Sequence, residues 1–323
     1  MSESGFLGSG IGPQAIRNQK NVASWTVTTT GAATHTIAAF TVSASTVIDW
    51  GDGSTSTYTG SGARTHDYAG AGTWTVRVMQ PLNVTALTLS NNEVTLNSAD
   101  IKSMINMVAF QANGLKAGTF NSSDVSAWRP TTFRLYDMPS GYAGTFNSAD
   151  VSAWRPTTFA LYTMPAGYAG TFNSVDVSAW RPTTFYLYSM PSGYAGTFNS
   201  VDVSAWRPTT FAMHSMPAGY AVTAGGGFAG WTTTTTFYIQ SNALSQATVN
   251  AIIYELYQAS AAPRTASGGT INVAGTNAAP SGTFQAVASP PVSASTPGKE
   301  IAYELLNDSL GLFNNWATVT ITA

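Results

Sequence analysis

The chain has 323 residues, only 9% of them charged, with 13 Lys and Arg against 15 Asp and Glu. That balance leaves no basic surface large enough to track a phosphate backbone, so nucleic acid is not an expected partner. Cysteine is absent and histidine occurs three times. Disulfides, thiolate metal sites and cysteine nucleophiles are thereby excluded, and no His-Glu-x-x-His, Gly-x-Ser-x-Gly or phosphate-loop motif is present, so neither enzymatic activity nor a cofactor is expected.

In chain order, residues 1–21 are rich in Gly and Ser, with Phe6, Leu7 and Ile11 as apolar anchors. They read as an assembly arm that adds to a neighbouring subunit. The spacing of Gly8, Gly10 and Gly12 is wrong for a dinucleotide fingerprint, and no strand precedes them. No positively charged start followed by an apolar run marks a classical signal peptide, and no later stretch is apolar enough for membrane insertion.

From Val22 to Pro81 short alternating strands are predicted at Trp25–Val27, Ala39–Val42, Val47–Trp50 and Trp74–Val78. Asp52-Gly53 is a strong hairpin signal. Asp49 and Asp52 are the sole calcium candidates here, and two carboxylates fall short of the six to eight oxygens such an ion takes, so turn chemistry is the favoured role.

The centre of the chain is one 26-residue unit written four times, as Gly118–Ala143, Gly144–Ala169, Gly170–Ala195 and Gly196–Ala221. Such a period specifies a solenoid, because one unit cannot bury its own apolar face and must stack on the next. Within a unit, Phe133-Arg134-Leu135-Tyr136 alternates as a short strand with Phe133 and Leu135 inward. Asn147-Ser148 is expected to cap a helical turn that buries Val151 and Trp154 and stops at Pro156. Each coil is thus expected to run strand, turn, helical turn and return. After the solenoid, Ser245 opens a helix with Val249, Ile252, Ile253 and Leu256 on one face. Ile271–Val273 and Ala317–Ile321 read as strands and Lys299–Phe313 as a helix, together a small α+β cap over 266–323.

Two resemblances refine this outline. Val84-x-x-Leu87-x-Leu89-x-x-Asn92-x-Val94, Ile105-x-x-Val108-x-Phe110-x-x-Asn113-x-Leu115 and Phe237-x-Ile239-x-x-Asn242-x-Leu244 resemble the leucine-rich repeat. The resemblance covers roughly 82–265 and implies a parallel sheet on one side of the coil, with Asn side chains bonding backbone in the turns. The four central units depart from it, with Met138, Met164, Met190 and Met216 where Asn is expected, so Asn121, Asn147, Asn173 and Asn199 are candidates to satisfy the turn instead. Trp50-Gly51-Asp52-Gly53, His66-Asp67-Tyr68 and Gly72–Val78 resemble the PKD domain, an immunoglobulin-like β-sandwich, over 22–81, and this resemblance implies a structural role for His66.

Candidate binding residues lie on the outward strand face: Arg134, Tyr186 and Tyr238, and a column of Tyr136, Tyr162, Tyr188, His214 and Gln240, with Gln111 before it. Asp124, Asp150, Asp176 and Asp202 are expected as dipole-favoured acids at the helical turns, paired with Arg129, Arg155, Arg181 and Arg207. That pairing makes a cationic stripe for anionic glycans or lipids the weaker reading. Trp128, Trp154, Trp180 and Trp206 are expected to be buried.

These features imply a non-enzymatic virion surface protein of capsid-decoration or fibre type, since repeat-built, Thr-rich, charge-poor chains usually work outside cells and a virion needs no export signal. A bacterial surface adhesin and a self-assembling extracellular filament subunit are the alternatives. Expected partners are copies of itself, other virion proteins and a cell-surface glycan, at the virion surface or outside cells.

Overall fold

A computed structural model describes residues 22–261, 268–288, 290–310 and 316–323. The expected assembly arm, with Phe6, Leu7 and Ile11, lies outside the described residues. The chain is β-rich, and its long parallel ladders carry the repeat.

Four strands come first: β1 (Ala23–Thr29), β2 (Ala33–Asp49), β3 (Thr55–Tyr68) and β4 (Gly72–Val78). β2 and β3 form the hairpin signalled by Asp52-Gly53, with Asp49 opposite Thr55. The two strands expected within 39–50 are one, which absorbs register shifts between Ile37 and Phe40 and between Val42 and Thr46. β3 was not foreseen. Its Thr, Ser and Gly side chains are mostly exposed, so no apolar alternation advertises it.

Beyond β4 the strands feed two parallel ladders. The first takes β5 (Val84–Leu89), β7 (Ala109–Asn113), β9 (Thr132–Tyr136), β11 (Thr158–Tyr162), β13 (Thr184–Tyr188), β15 (Thr210–Ala212) and β17 (Thr236–Tyr238). The second takes β6 (Val94–Asn97), β8 (Ala117–Asn121), β10 (Tyr142–Thr145), β12 (Tyr168–Thr171), β14 (Tyr194–Asn199) and β16 (Tyr220–Thr223). A coil therefore holds two strands where the sequence suggested one. The second was hidden because Tyr-Ala-Gly-Thr contributes only Tyr142, Tyr168 or Tyr194 to the core and otherwise reads as a turn.

The helical turn is a single 3-10 turn at Ser122–Val125, Ser148–Val151, Ser174–Val177 and Ser200–Val203. Phe159, Leu161, Val151, Trp154, Tyr168 and Phe172 are all fully buried, as are their counterparts in neighbouring coils. Phe133, Phe159, Phe185 and Phe211 pair in register down the first ladder and stack at 5.8, 5.5 and 5.5 Å. Burying each such ring contributes about 2 kcal/mol, and the ring contacts add to it. The chain-long stack is the core.

The first four strands do not stand apart from the solenoid. β2 pairs antiparallel with β5, Phe40 opposite Leu87, and β1 pairs antiparallel with β6, Val27 opposite Val94. Each ladder thus runs on into the N-terminal strands, which close the apolar end of the stack. At the other end the second ladder stops at β16, and α1 (Gln246–Ala261) takes the place of its next strand. Val249, Ile252, Ile253 and Leu256 are buried as the periodicity predicted. The first ladder continues through β18 (Thr270–Asn272) and, after α2 (Gly298–Asn307), β19 (Thr318–Thr320). The helix expected over 299–313 stops at Asn307, where Asp308 turns left-handed at φ 44°.

Coil spacing is enforced by glycine. In the second ladder Gly144, Gly170 and Gly196 have φ of 135–144°, and a Cβ there would sit 2.1 Å from the carbonyl oxygen of Phe120, Phe146 or Phe172. Only a residue without a side chain lets the backbones approach this closely. Gly170→Ala is expected to destabilise the protein by roughly 3 kcal/mol or more. Gly219→Ala, with open space around the added methyl, is expected to change stability by less than about 1 kcal/mol. Urea denaturation of both variants checks the contrast. The buried hydroxyls of Tyr142, Tyr168 and Tyr194 have no hydrogen-bond partner, whereas that of Tyr220 donates to the Phe172 carbonyl at 3.0 Å. Tyr168→Phe is therefore expected to stabilise by about 1 kcal/mol and Tyr220→Phe to destabilise by a similar amount, read from the same titrations.

Candidate functional site

The first ladder fixes which side chains share an outward column. Register places Gln111, Arg134, Ala160, Tyr186, Ala212 and Tyr238 in one column, and Asn113, Tyr136, Tyr162 and Tyr188 in the next, which His214 and Gln240 continue. Gln111 therefore belongs with Arg134 and not, as expected, with the tyrosines. The coil before the repeats is three residues shorter than 26, which moves it across. Its amide still reaches the tyrosine column, donating to the Tyr136 hydroxyl at 2.9 Å.

Because in-register strands lie about 4.8 Å apart, planar side chains in one column stack face to face. Tyr136 and Tyr162 lie 4.7 Å apart, Tyr162 and Tyr188 4.4 Å, and Tyr188 and His214 4.4 Å, with interplanar angles of 20°, 14° and 11°. The rings cover one another's faces and present their edges and hydroxyls to solvent. Tyr186 stands edge-on to Tyr162 and Tyr188 at 6.2 and 6.1 Å. Ala160 and Ala212, though outward, are only 2% exposed, so the face is filled rather than grooved. Burial, together with the neighbouring phenols and Asp137, raises the Tyr162 hydroxyl above its ordinary range, and burial lowers His214. Arg134 is exposed at one end of the column.

The residue after the strand, Asp137, Thr163, Ser189 or Ser215, is left-handed with φ of 51–53°. Its amide donates onward to the next coil's strand, as Thr163 does to the Tyr188 carbonyl at 3.2 Å. The turn is satisfied by this backbone geometry, and Met138, Met164 and Met190 beside it are buried. Asn121, Asn147 and Asn173 act elsewhere: their side-chain oxygens accept from the amides of Thr145, Thr171 and Thr197 in the following coil, each at 3.1 Å. At the other end Asn242 does bridge turns, donating to the carbonyls of Met213 and Ile239 at 2.8 and 3.0 Å.

The expected pairing of the repeated acids with the repeated arginines does not occur. Asp124, Asp150, Asp176 and Asp202 accept from the hydroxyls of Ser98, Ser122, Ser148 and Ser174 in the preceding coil at 2.5–2.6 Å. Those serines are fully buried and in turn accept the amides of Asn121, Asn147, Asn173 and Asn199 at 2.8–2.9 Å. A charge-assisted bond at this length outweighs an exposed ion pair, which explains the choice. The arginines instead turn back on their own coil. The Nη1 of Arg129, Arg155 and Arg181 donates to the carbonyl three residues earlier at 2.9 Å, and each also donates to the tryptophan carbonyl just before it. Among the described residues the ion pairs are His66 with Asp52 and Arg77 with Asp49. Four exposed guanidinium groups thus stand in file. At about 5 Å in water, neighbouring unit charges repel by about 0.8 kcal/mol before screening. The sequence offered no sign of this, because Ser122 and its equivalents look like ordinary turn residues.

In the N-terminal strands the two calcium candidates are both engaged. Asp49 accepts the Gly51 amide at 2.9 Å and faces Arg77 at 3.4 Å. Asp52 accepts from the Ser54 amide and hydroxyl at 2.9 and 2.6 Å and meets His66 Nε2 at 2.7 Å. Among the described residues no group of three or more His, Asp or Glu is placed to hold a metal ion. His66 stacks on Trp50 at 4.8 Å, and the Tyr68 hydroxyl donates to the Trp50 carbonyl at 2.8 Å. The Trp50 and His66 motif therefore builds a turn.

A shallow surface cavity of about 640 Å³ beside β19, lined by Phe284, Lys299, Val319 and Ile321 among others, brings together no acid–base pair. No helix among the described residues is long and apolar enough to cross a membrane. Compared with protein-family models, curated proteins and solved structures, the chain gives no match.

His35, paired in register with His66, is fully buried with both ring nitrogens unpartnered. Burial, and secondarily His66, lowers its pKa from 6.5 to about 4. The unfolded chain therefore takes up a proton between those values that the fold refuses, so stability is full above pH 6.5 and falls as pH drops toward 4. The loss is on the order of 3 kcal/mol. Asp52, where burial is outweighed by hydrogen bonds from Ser54 and His66, sits at about 2 and adds a further loss between pH 3.8 and 2. Chemical denaturation across pH 4–7 should show the first limb in the unaltered protein and a clearly shallower one in His35→Phe, where the half-buried His214 still contributes a loss of the same sign.

Proposed function

We propose that the chain is a non-enzymatic surface-display protein of virion type, in which the solenoid is a stiff attachment element and the outward strand face its contact surface. The observation that carries this reading is the stacked column Tyr136–Tyr162–Tyr188–His214 on the exterior of an uninterrupted parallel ladder. Aromatic rings with polar tips, held rigid by their neighbours, give contact area at little entropic cost. Since the ring faces cover one another, a glycan or protein partner meets hydroxyl edges in the tyrosine column and apolar ring area only around Tyr186 and Tyr238. The leucine-rich-repeat resemblance supports the same face, and the PKD resemblance supports an N-terminal docking role.

Two measurements test this. On a glycan array the full-length protein is expected to bind a defined carbohydrate set, and Tyr186→Ala/Tyr238→Ala to lose at least tenfold in affinity. Electron microscopy of the full-length protein beside a chain lacking residues 1–21 is expected to show ordered assemblies only with the arm present. Equal binding by the variant removes the strand face as contact surface, and single elongated particles in both samples remove assembly through the arm.

A further inference from the structure

We propose that Arg129, Arg155, Arg181 and Arg207 form a binding site for a linear acidic polysaccharide, separate from the outward strand face. Three features of this row of arginines support it. The arginines occupy equivalent positions in successive coils, each three residues before an in-register strand of a ladder with a spacing of about 4.8 Å, so they recur once per coil in a row. All four are exposed, and among the described residues none has a carboxylate within ion-pairing distance, because the aspartates of the repeat are held by buried serines. Each guanidinium is also fixed before any ligand arrives: Nη1 is anchored on two carbonyls of its own coil, including Ser204 O at 2.7 Å for Arg207. The remaining edge, Nη2 with Nε, is the fork that takes a carboxylate or sulfate through two parallel hydrogen bonds.

The surroundings favour a polysaccharide over other polyanions. Two positions after each arginine stands an exposed threonine, and Thr157, Thr183 and Thr209 donate to the previous coil's threonine carbonyl at 3.0 Å. Their hydroxyl oxygens remain as acceptors toward sugar hydroxyls. Between arginine and threonine lie buried prolines, Pro130, Pro156, Pro182 and Pro208, so no aromatic ring interleaves the cations for base stacking. A duplex winds its phosphates around a helix, and a single row of cations with one per coil does not follow that winding. A linear chain with regularly repeated oxyanions engages several forks at once, and each added contact is intramolecular after the first. It also neutralises a row of like charges that the fold leaves unpaired.

The test uses the full-length protein with polygalacturonate for carboxylate, heparin for sulfate, single-stranded DNA, and neutral dextran. Calorimetric titration at low salt is expected to show binding to one or both acidic polysaccharides and none to dextran. Arg155→Gln/Arg181→Gln is expected to weaken that binding at least tenfold and to reduce the slope of log affinity against log salt by about two. Arg155→Lys/Arg181→Lys, which keeps charge but not the fork, is expected to preserve the slope and lose affinity severalfold. Should the glutamine variant fail to fold, the unaltered protein still decides: its Tm must rise with acidic polysaccharide at low salt, return to baseline at high salt, and stay flat with dextran. A flat Tm, equal binding by the folded variants, or preference for single-stranded DNA overturns the proposal. An adhesive strand face is read by neutral glycans and the tyrosine variants, so either assignment fails without the other.

Discussion

The distance between successive backbones in the second ladder is the constraint on which the solenoid depends. At Gly144, Gly170 and Gly196 the chain passes so close to the preceding carbonyl that a methyl group has no space. This contact sets a short pitch on one side of the coil, and the in-register strands match it on the other. With both sides fixed, the buried serine, the aspartate and the preceding asparagine of each 3-10 turn meet their counterparts in the adjacent coils. The Ser122 hydroxyl donates to Asp150 and accepts from the Asn147 amide, while the Asn121 side-chain oxygen accepts from the amide of Thr145. A one-residue slip would break all three bonds and turn the inward Phe and Leu to solvent. The recurrence of Gly, Asn, Ser and Asp at the same places in the units fits these demands, because each coil is both donor and acceptor to its neighbours.

A ladder of reciprocal bonds needs a terminus, and the fold supplies one at each end. Ser200, the last serine of the series, has no following aspartate. Its hydroxyl meets Glu255 of α1 at 3.4 Å, and the same carboxylate accepts the amides of Gly226 and Phe228 at 2.6 and 2.9 Å. Glu255 is 3% exposed and stands in for the aspartate of a coil that is not there. A helix in place of a strand ends the second ladder while the first continues, so the terminal coil changes composition without exposing the core. At the start, β1 and β2 each add an antiparallel strand to one ladder, which joins the N-terminal strands to the solenoid by main-chain bonds and not only by packing.

Much of this was legible in the residues, and the failures have physical causes. The period of 26, the inward Phe and Leu, the buried Trp128 and its copies, and the apolar face of α1 all follow from spacing, because burial writes itself as periodicity. The hairpin at Asp52-Gly53 followed from turn chemistry. The second strand of each coil and β3 did not, since small and polar residues form strands there on the strength of neighbours far away in sequence. Column membership across the junction at Gln111 was misjudged because a shorter coil shifts register. The alternation of the strands put the tyrosines on the outward side, but only the geometry reveals that they are half-buried and spend their faces on one another.

The misjudged Asp and Arg pairing is the most instructive of these, because it changes what the surface is. Counted by sequence, the repeats are electrically neutral, and opposite charges at fixed spacing invite pairing. The fold separates them by depth: the carboxylates sit half-buried on serine hydroxyls and, at Asp150 and Asp176, on asparagine side-chain amides, and the guanidinium groups stand at the exposed corner. A buried hydroxyl donor rewards a carboxylate with short, directional bonds in a low-dielectric setting, whereas an exposed ion pair in water gains little. Once the acids are drawn inward, solvent meets the arginines alone. Net charge then misrepresents the potential that an approaching ligand experiences, and a chain with a formal charge of −2 carries a continuous cationic line.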